Sequence, residues 1–346
     1  MAIGGRRVGP GAPVLVIAEA GVNHNGDPEL ALSLVEAAAA SGADAVKFQA
    51  FRADDVAAPG APKADYQLAA TGAGQSQLEM LRALELEEAA WEALKECADK
   101  AGVVFLASAF DEASVAFLDR LGVAAFKVGS GEMTNHPLLA AVGSRGRPVI
   151  VSTGTADLGE VEAAVGVVRR AGAEDVAVLH CVSAYPAVAE DANLNAMATL
   201  AERLRVPVGF SDHTIGDEVA LAAVALGACI LEKHFTLDRS LPGPDQRASL
   251  EPGELAELVR RVRRVEAALG DGVKRPTATE QANAAVVRRS LAAAEDLAAG
   301  AVVTREMLTA LRPGTGIAPT RIDDVVGRRL TRDVPRHALL ALDDLE

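Results

Sequence analysis

Short runs of hydrophobic and β-branched residues alternate along the chain with amphipathic stretches rich in alanine, leucine and glutamate. This alternation predicts repeated strand–helix units around a parallel sheet. Eight runs are predicted as strands, at 14–18, 45–49, 103–107, 125–129, 148–152, 176–181, 207–211 and 229–234. The helices between them are predicted near 28–41, 87–101, 111–121, 135–143, 157–171, 193–204, 216–227 and 251–269. Eight such units over about 270 residues predict a (β/α)8 TIM barrel.

Two regions depart from this alternation. Residues 52–76 are too long for an ordinary connection and contain Gly, Pro and small residues, which is typical of a lid over a binding site. After Gly270 the pattern changes to short strand-like pieces and turns. We therefore predict a barrel domain at 1–270, a linker at 271–284 and a small mixed domain at 285–346.

Composition limits the partners and the cellular compartment that we expect. The 346 residues carry a net charge of −14 and only 3% aromatic residues, which excludes nucleic acid as a partner. No apolar run is long enough for a membrane span, and we expect no signal peptide at the N-terminus. Three cysteines without paired spacing predict a reducing compartment, by default the cytoplasm.

Polar residues, with one phenylalanine among them, end or follow every predicted strand, where barrel enzymes carry their chemistry. From the first strand to the eighth they are Glu19, Asn23, His24, Lys47, Gln49, Ser108, Phe110, Lys127, Ser130, Glu132, Ser152, Thr153, His180, Ser183, Tyr185, Ser211, Asp212, His213, Glu232, Lys233 and His234. Eight sets at one end of a barrel predict an active site there.

Two lysines within apolar strands require anionic partners, because an unpaired buried ammonium is costly. Lys47 and Lys127 could pair with Glu19 or Glu132, or neutralise the phosphate and carboxylate of a substrate. In the second case Ser130 would assist with its hydroxyl and the adjoining backbone N–H groups.

His213 and His234 end neighbouring predicted strands, so their imidazoles could bind one divalent ion such as Mn²⁺, Fe²⁺, Co²⁺ or Zn²⁺. Glu132 follows a Gly-Ser-Gly turn that leaves its carboxylate free for proton transfer, unless it serves only to pair Lys127. Asp245 lies in a Pro/Gly-rich loop expected over the barrel mouth.

These residues occur within recognisable segments, among them AEAGVNHNGD, GADAVKFQAF, KVGSGEMTNHPLL, HCVSAYPA, VGFSDHT, LGACILEKHFTLD and PGPDQRASLEP. Together they resemble the N-acetylneuraminate (sialic acid) synthase family and its legionaminic acid relatives. The tail from VVRRSLAAAEDL to RPGTGIAP resembles the family's C-terminal antifreeze-like (SAF) domain. The resemblance covers nearly the whole chain.

The resemblance implies a Mn²⁺-dependent condensation of phosphoenolpyruvate with N-acetylmannosamine or a related N-acylated sugar, giving N-acetylneuraminate or a related nonulosonic acid. Phosphate leaves by C–O cleavage. A diacetamido trideoxy sugar, which would give legionaminic acid, is the alternative acceptor. A domain-swapped homodimer is also implied, in which Arg312 of the small domain reaches the N-acyl group in the partner's barrel.

The resemblance also assigns roles to residues. His213 and His234 would bind the metal, and Glu132 would be the acid/base. The phosphoenolpyruvate-binding set would be Lys47, Lys127, Ser108, Ser130, Ser152 and Ser211, and the sugar would be held by Glu19, Gln49, Tyr185 and Asp245.

Two departures from the family pattern are visible. Ala184 stands where an asparagine is usual, which removes a hydrogen bond worth about 1 kcal/mol on the phosphoenolpyruvate side. The segment 108–110 replaces ThrProPhe but keeps Phe110. Two other functions remain open: a Schiff-base aldolase using Lys47, Lys127 or Lys233, and a sugar-binding protein without catalysis.

Overall fold

The computed structural model describes all residues, 1–346, and divides them into two compact units, Met1–Gly270 and Asp271–Glu346. The first unit is a closed barrel of eight parallel strands, so the predicted (β/α)8 fold is confirmed. Its strands are β3 (Leu15–Gly21), β4 (Ala45–Ala50), β5 (Val104–Ala109), β6 (Phe126–Val128), β7 (Val149–Ser152), β8 (Val176–Cys181), β9 (Val208–Asp212) and β10 (Ile230–His234). Strand β10 closes the barrel against β3.

The barrel helices follow the predicted positions to within three residues. They are α1 (Pro28–Ala40), α5 (Glu88–Ala101), α6 (Glu112–Leu121), α7 (His136–Gly143), α8 (Leu158–Ala171), α9 (Ala196–Leu204), α10 (Glu218–Ala225) and α11 (Pro252–Leu269). Asp27 and Asp157 begin α1 and α8 by accepting hydrogen bonds from backbone N–H groups of the first turn. None of the helices is both long and apolar enough to cross a membrane.

The interior of the barrel is apolar at one end and polar at the other. Successive residues of a strand face opposite sides, so residues two apart share a side. Inner apolar residues are therefore followed two positions later by polar ones, as in the pairs Ile17 and Glu19, Ala45 and Lys47, Leu106 and Ser108, Ala125 and Lys127, Ile150 and Ser152, and Ile230 and Glu232. The apolar members pack together at the amino ends of the strands, and the polar members lie nearer the carboxyl ends.

Two local features were not predicted. An N-terminal hairpin of β1 (Ala2–Ile3) and β2 (Arg6–Arg7) adds Ile3 to the inner apolar cluster. The long connection after β4 forms three short helices, α2 (Ala53–Val56), α3 (Asp65–Thr71) and α4 (Gln77–Arg82), which we call the lid segment.

The second unit begins with α12 (Ala278–Val287), so part of the stretch predicted as a linker is helical. Thr277 caps this helix by accepting a hydrogen bond from the N–H of Glu280. Strands β11 (Ser290–Ala293) and β12 (Leu308–Leu311) then pair antiparallel over a small core of their own.

Candidate active site

A cavity of about 280 Å³ opens at the carboxyl ends of the barrel strands. Its size lies just below the range of about 300 to 1,000 Å³ for small-molecule sites. Thirteen of the fifteen predicted site residues line it: Glu19, Lys47, Gln49, Ser108, Phe110, Lys127, Ser130, Ser152, Tyr185, Ser211, His213, His234 and Asp245. The other two, Glu132 and Arg312, do not line it.

The floor of the cavity is a network of alternating charges. The Nζ of Lys47 lies 2.6 Å from Glu19 Oε2 and 3.8 Å from Glu232 Oε2, and it donates a hydrogen bond to Ser108 Oγ at 3.0 Å. The Nζ of Lys127 lies 3.5 Å from Glu232 Oε1 and donates to Ser152 Oγ at 2.7 Å. Both lysines are therefore paired, Lys47 with the predicted Glu19, and Lys127 with Glu232 instead of Glu132.

The two lysines differ in how well these carboxylates compensate for burial. Burial favours the neutral amine, but Glu19 and Glu232 outweigh it at Lys47 and raise its pKa. At Lys127 burial dominates and lowers the pKa, since Glu232 offsets it only in part. Burial would raise the pKa of Glu232, but Lys127 and Lys47 lower it to about 2. Lys127 is thus the cation whose charge a further anion would stabilise most.

Two neutral histidines form one side of the cavity. The rings of His213 and His234 have centroids 5.4 Å apart, and Tyr185 lies against His213 with centroids 4.2 Å apart. Burial lowers the pKa of both histidines, which keeps the imidazoles neutral. These are the only two histidines among the cavity-lining residues.

The same two side chains fit the predicted metal. His213 Nδ1 lies 2.6 Å from the carbonyl oxygen of Val182, which fixes the N–H there and leaves the lone pair on Nε2, 3.5 Å from Ser211 Oγ. The buried Nδ1 of His234 has no hydrogen-bond partner. No group of three or more His, Cys, Asp or Glu residues could hold a metal, so an ion here would complete its coordination with water or substrate.

The cavity lining contains one more carboxyl group, Asp245, and a glutamine that contacts Glu19. Gln49 Nε2 donates a hydrogen bond to Glu19 Oε1 at 2.9 Å, which orients Glu19 beside Lys47. Burial raises the pKa of Glu19 despite the charge of Lys47. Asp245 lines the cavity, and burial together with the negative charge of Glu19 raises its pKa to about 7. Asp245 can therefore exchange a proton near neutral pH.

Two predicted residues lie elsewhere. Glu132 belongs to a short 3₁₀ helix, Ser130–Glu132, and its Oε2 accepts a hydrogen bond from Asn135 Nδ2 at 2.7 Å. Its acid/base role stays a prediction that this position does not support. Arg312 is an exposed residue of the second unit, directly after β12, and its role in sugar binding also stays a prediction.

Other strand-end residues have structural contacts. Lys233 Nζ lies 2.6 Å from Asp212 Oδ2 on the side of the strands that faces away from the cavity. His180 Nε2 lies 2.8 Å from the carbonyl oxygen of Ala192 and does not line the cavity. Of the three lysines considered for imine formation, Lys233 is therefore outside the site.

Sequence reasoning missed part of the cavity wall. Glu232 was noted only as one of many strand-end residues, although it lies two positions before His234 and so shares its side of β10. The lid segment supplies seven more lining residues: Val56, Tyr66, Gln67, Gln77, Met80, Leu81 and Leu84. Only Val56, Tyr66 and Gln67 fall within the predicted lid at 52–76, and no periodic pattern there indicates which residues face inward.

A (β/α)8 barrel with buried lysines, serines and neutral histidines at the carboxyl ends of its strands defines an enzyme that binds a small anionic substrate. Family models give the particular class: the NeuB family matches residues 34–274 and the SAF domain matches residues 288–346. The chain belongs to the NeuB family and carries a C-terminal SAF domain.

Individual relatives extend this assignment. The chain is 47% identical to an N,N'-diacetyllegionaminic acid synthase of Legionella pneumophila, over 96% of this chain and 94% of the relative. It is 37% identical to the human N-acetylneuraminate-9-phosphate synthase, over 94% and 91%. Among solved structures, a sialic acid synthetase of Leptospira borgpetersenii matches with a TM-score of 0.72 and 38% identity, covering 82% of this chain and 94% of that one.

Proposed function

We propose that this enzyme condenses phosphoenolpyruvate with 2,4-diacetamido-2,4,6-trideoxymannose to give N,N'-diacetyllegionaminic acid and phosphate. The observation that carries the proposal is the single cavity in which Lys47 and Lys127 face His213 and His234. The acceptor is chosen from the Legionella relative, whose 47% identity exceeds the 37% to the human enzyme. N-Acetylmannosamine is the second candidate acceptor, supported by the likeness to the Leptospira sialic acid synthetase.

Phosphoenolpyruvate would bind at the floor of the cavity. Its phosphate and carboxylate are negatively charged. They would compensate the buried charge of Lys127, which Glu232 offsets only in part, and would also interact with Lys47. The hydroxyls of Ser108, Ser152 and Ser211 already lie within 3.1 Å of a charged group of the floor network. They would help to orient the phosphate and the carboxylate, since charge-assisted hydrogen bonds are stronger than neutral ones.

The acceptor would then lie between the floor and the lid segment. A divalent ion, which we propose to be Mn²⁺, would be held by His213 and His234 and would supply Lewis-acid polarisation of the sugar's carbonyl. Tyr185 packs on His213 and so limits where the aldehyde end of the sugar can lie. The sugar hydroxyls would form hydrogen bonds with Glu19, Gln49 and Asp245.

The bond changes balance with water as the third reactant. The methylene carbon of phosphoenolpyruvate attacks the aldehyde carbon, forming the new C–C bond, and the aldehyde oxygen gains a proton. Water adds to the former enol carbon, and the C–O bond to phosphate breaks to leave the 2-keto acid. Asp245 is the cavity carboxyl whose pKa of about 7 suits it to give or take a proton in these steps.

Phosphate release from phosphoenolpyruvate tests the proposal. Mn²⁺-dependent release should occur with 2,4-diacetamido-2,4,6-trideoxymannose, and it should stop with EDTA or when no sugar is present. Faster release with N-acetylmannosamine would favour sialic acid as the product. Absence of release with both sugars would overturn the proposed reaction.

We also propose that the SAF domain completes the site of a second copy in a homodimer, with Arg312 contacting the N-acyl group. The support is the family resemblance and the exposure of Arg312. Analytical ultracentrifugation should give a dimer. A monomer with full activity would overturn this part of the proposal.

A further inference from the structure

A buried ion pair lies directly beside the two histidines that fit the metal. Lys233 of β10 faces Asp212 of β9 in the final residue pair of the ladder between these strands. In each case the next residue along the chain is one of the histidines, His234 or His213. Lys233 Nζ lies 2.6 Å from Asp212 Oδ2, and both residues are at most 2% exposed. The pair therefore joins the two strands at the last point before the imidazoles.

The same pair holds the backbone on both sides of His213. Lys233 Nζ donates a second hydrogen bond, to the carbonyl oxygen of Thr214, at 2.8 Å. Asp212 Oδ1 accepts hydrogen bonds from the N–H of Thr214 at 2.9 Å and from its hydroxyl at 2.8 Å. A carboxylate that bonds the backbone two residues further on forms an Asx-turn. His213 is the middle residue of this turn, so a shift of its backbone would break bonds to the ion pair.

His234 lacks the hydrogen bond that orients His213. In metal sites a ligating imidazole is usually oriented by a hydrogen bond at its other ring nitrogen. His213 has such a bond to the carbonyl oxygen of Val182, whereas the buried Nδ1 of His234 has no partner. The ring of His234 contacts those of Tyr185 and His213, with centroids 5.5 Å and 5.4 Å apart. Its position therefore depends on the strand that carries it, and Lys233 joins that strand to β9.

The ion pair lies outside the cavity and has no direct part in its chemistry. Alternation places Asp212 and Lys233 on the opposite side of the strands from Ser211 and Glu232, which line the cavity. Stability alone is a weak reason for such a pair, since desolvation offsets the attraction and apolar replacements are often neutral. Unlike two apolar side chains, the pair gives the ends of β9 and β10 a fixed geometry through directed hydrogen bonds.

We infer that Asp212 and Lys233 are positioning residues of the metal site. Their ion pair fixes the separation of the two cavity histidines and so sets the affinity for the divalent ion. The inference rests on the proposed function, because the ion is the one that the proposed reaction uses. It gives a role in metal binding to two residues that do not line the cavity.

Calorimetric titration with Mn²⁺, in the absence of both substrates, tests the inference. Lys233→Met and Asp212→Asn each break the ion pair and keep both histidines. Loss of a residue that orients a metal ligand weakens metal binding by about 10- to 100-fold, and we expect a loss of this size in both variants. Asp212→Asn keeps an acceptor for the N–H of Thr214, so its loss should be the smaller one. Circular dichroism should show that both variants are folded.

The double variant Asp212→Asn/Lys233→Met separates positioning from general stability. It leaves no buried charge uncompensated, so urea denaturation should show that most of the stability lost in the single variants is recovered. The bridge between the strands is still absent, so the affinity for Mn²⁺ should stay about 10-fold or more below that of the wild type. Recovery of wild-type affinity together with stability would overturn the inference.

Another buried carboxylate of the barrel supplies a matched control. Asp44 directly precedes β4, at the end of the barrel away from the histidines. It accepts a hydrogen bond from the N–H of Val16 at 2.8 Å and pairs with Arg6 and Arg263. Asp44→Asn should lower stability, because it removes the charge that compensates these arginines, but it should leave the affinity for Mn²⁺ unchanged. An equal loss of affinity in Asp44→Asn would also overturn the inference.

The outcomes distinguish this inference from the proposed reaction. Wild-type binding of Mn²⁺ with unchanged affinity in all three ion-pair variants would overturn the inference and leave the reaction standing. If Mn²⁺ binds but no sugar supports phosphate release, the reaction fails, and the same titrations still decide the inference. If the wild type binds no Mn²⁺, the metal site and the positioning role fail together.

Discussion

Glu232 Oε1 lies 3.5 Å from the Nζ of Lys127, and both side chains are almost fully buried. Removing one member of a buried ion pair leaves the other charge uncompensated, which costs about 3 to 5 kcal/mol. Glu232→Gln should therefore lower the free energy of unfolding by about 3 kcal/mol, measured by urea denaturation. Adding Lys127→Met to this variant should recover part of the loss. Equal losses in the single and double variants would show that the pair is not coupled.

His213→Ala and His234→Ala should each abolish Mn²⁺-dependent turnover. The expected reason is loss of one of the two imidazoles that fit the metal. Calorimetric titration with Mn²⁺ should show weakened binding by about 10-fold or more, and circular dichroism should show an unchanged fold. His180→Ala is the control, because His180 contacts a backbone carbonyl outside the cavity. Full Mn²⁺ affinity in either cavity variant would remove the metal assignment.

Asp245 should make stability depend on pH between its unfolded and folded pKa values. Burial and Glu19 raise its pKa to about 7, so the folded state holds this proton more tightly than the unfolded state does. Its contribution to the free energy of unfolding is about 4 kcal/mol. This contribution is fully present below pH 4 and is lost as the pH rises to 7. Asp245→Asn should remove that loss. Thermal unfolding of the wild type and of Asp245→Asn at pH 5 and pH 8 measures this loss. A difference in stability between the two proteins that is the same at both pH values would contradict the raised pKa.

Arg312→Ala should weaken the use of the sugar more than the binding of phosphoenolpyruvate. The proposed contact is to the N-acyl group, and a hydrogen bond from a charged donor is worth about 1.5 to 3 kcal/mol. The KM for the sugar should rise by about 10-fold or more. Arg336→Ala, another exposed arginine of the same unit, should leave both KM values unchanged. An equal effect of Arg312→Ala on both substrates would count against the capping role.

Residues on barrel strands could be predicted from the sequence because two simple regularities place them. Alternation sets the side of each strand, and the parallel register then brings the strands' polar ends together, as with Glu19 opposite Lys47 and Ser108 opposite Lys127. The same reasoning, applied to β10, would have added Glu232 to the site.

Residues on connections could not be predicted in this way. Glu132 follows β6 as expected, but its orientation is decided by Asn135, a neighbour that begins α7. The lid helices have four to seven residues each, too short for a hydrophobic period to show which side faces inward. Their orientation depends on tertiary contacts, such as Met80 with Val22 and Tyr66 with Tyr185.

The lid segment lies within a single connection, between β4 and α5. Insertions, deletions and substitutions in that connection leave the strand register and the floor network of Lys47 and Lys127 untouched. Sequence change in that connection therefore alters one wall of the cavity while the charged floor keeps its geometry.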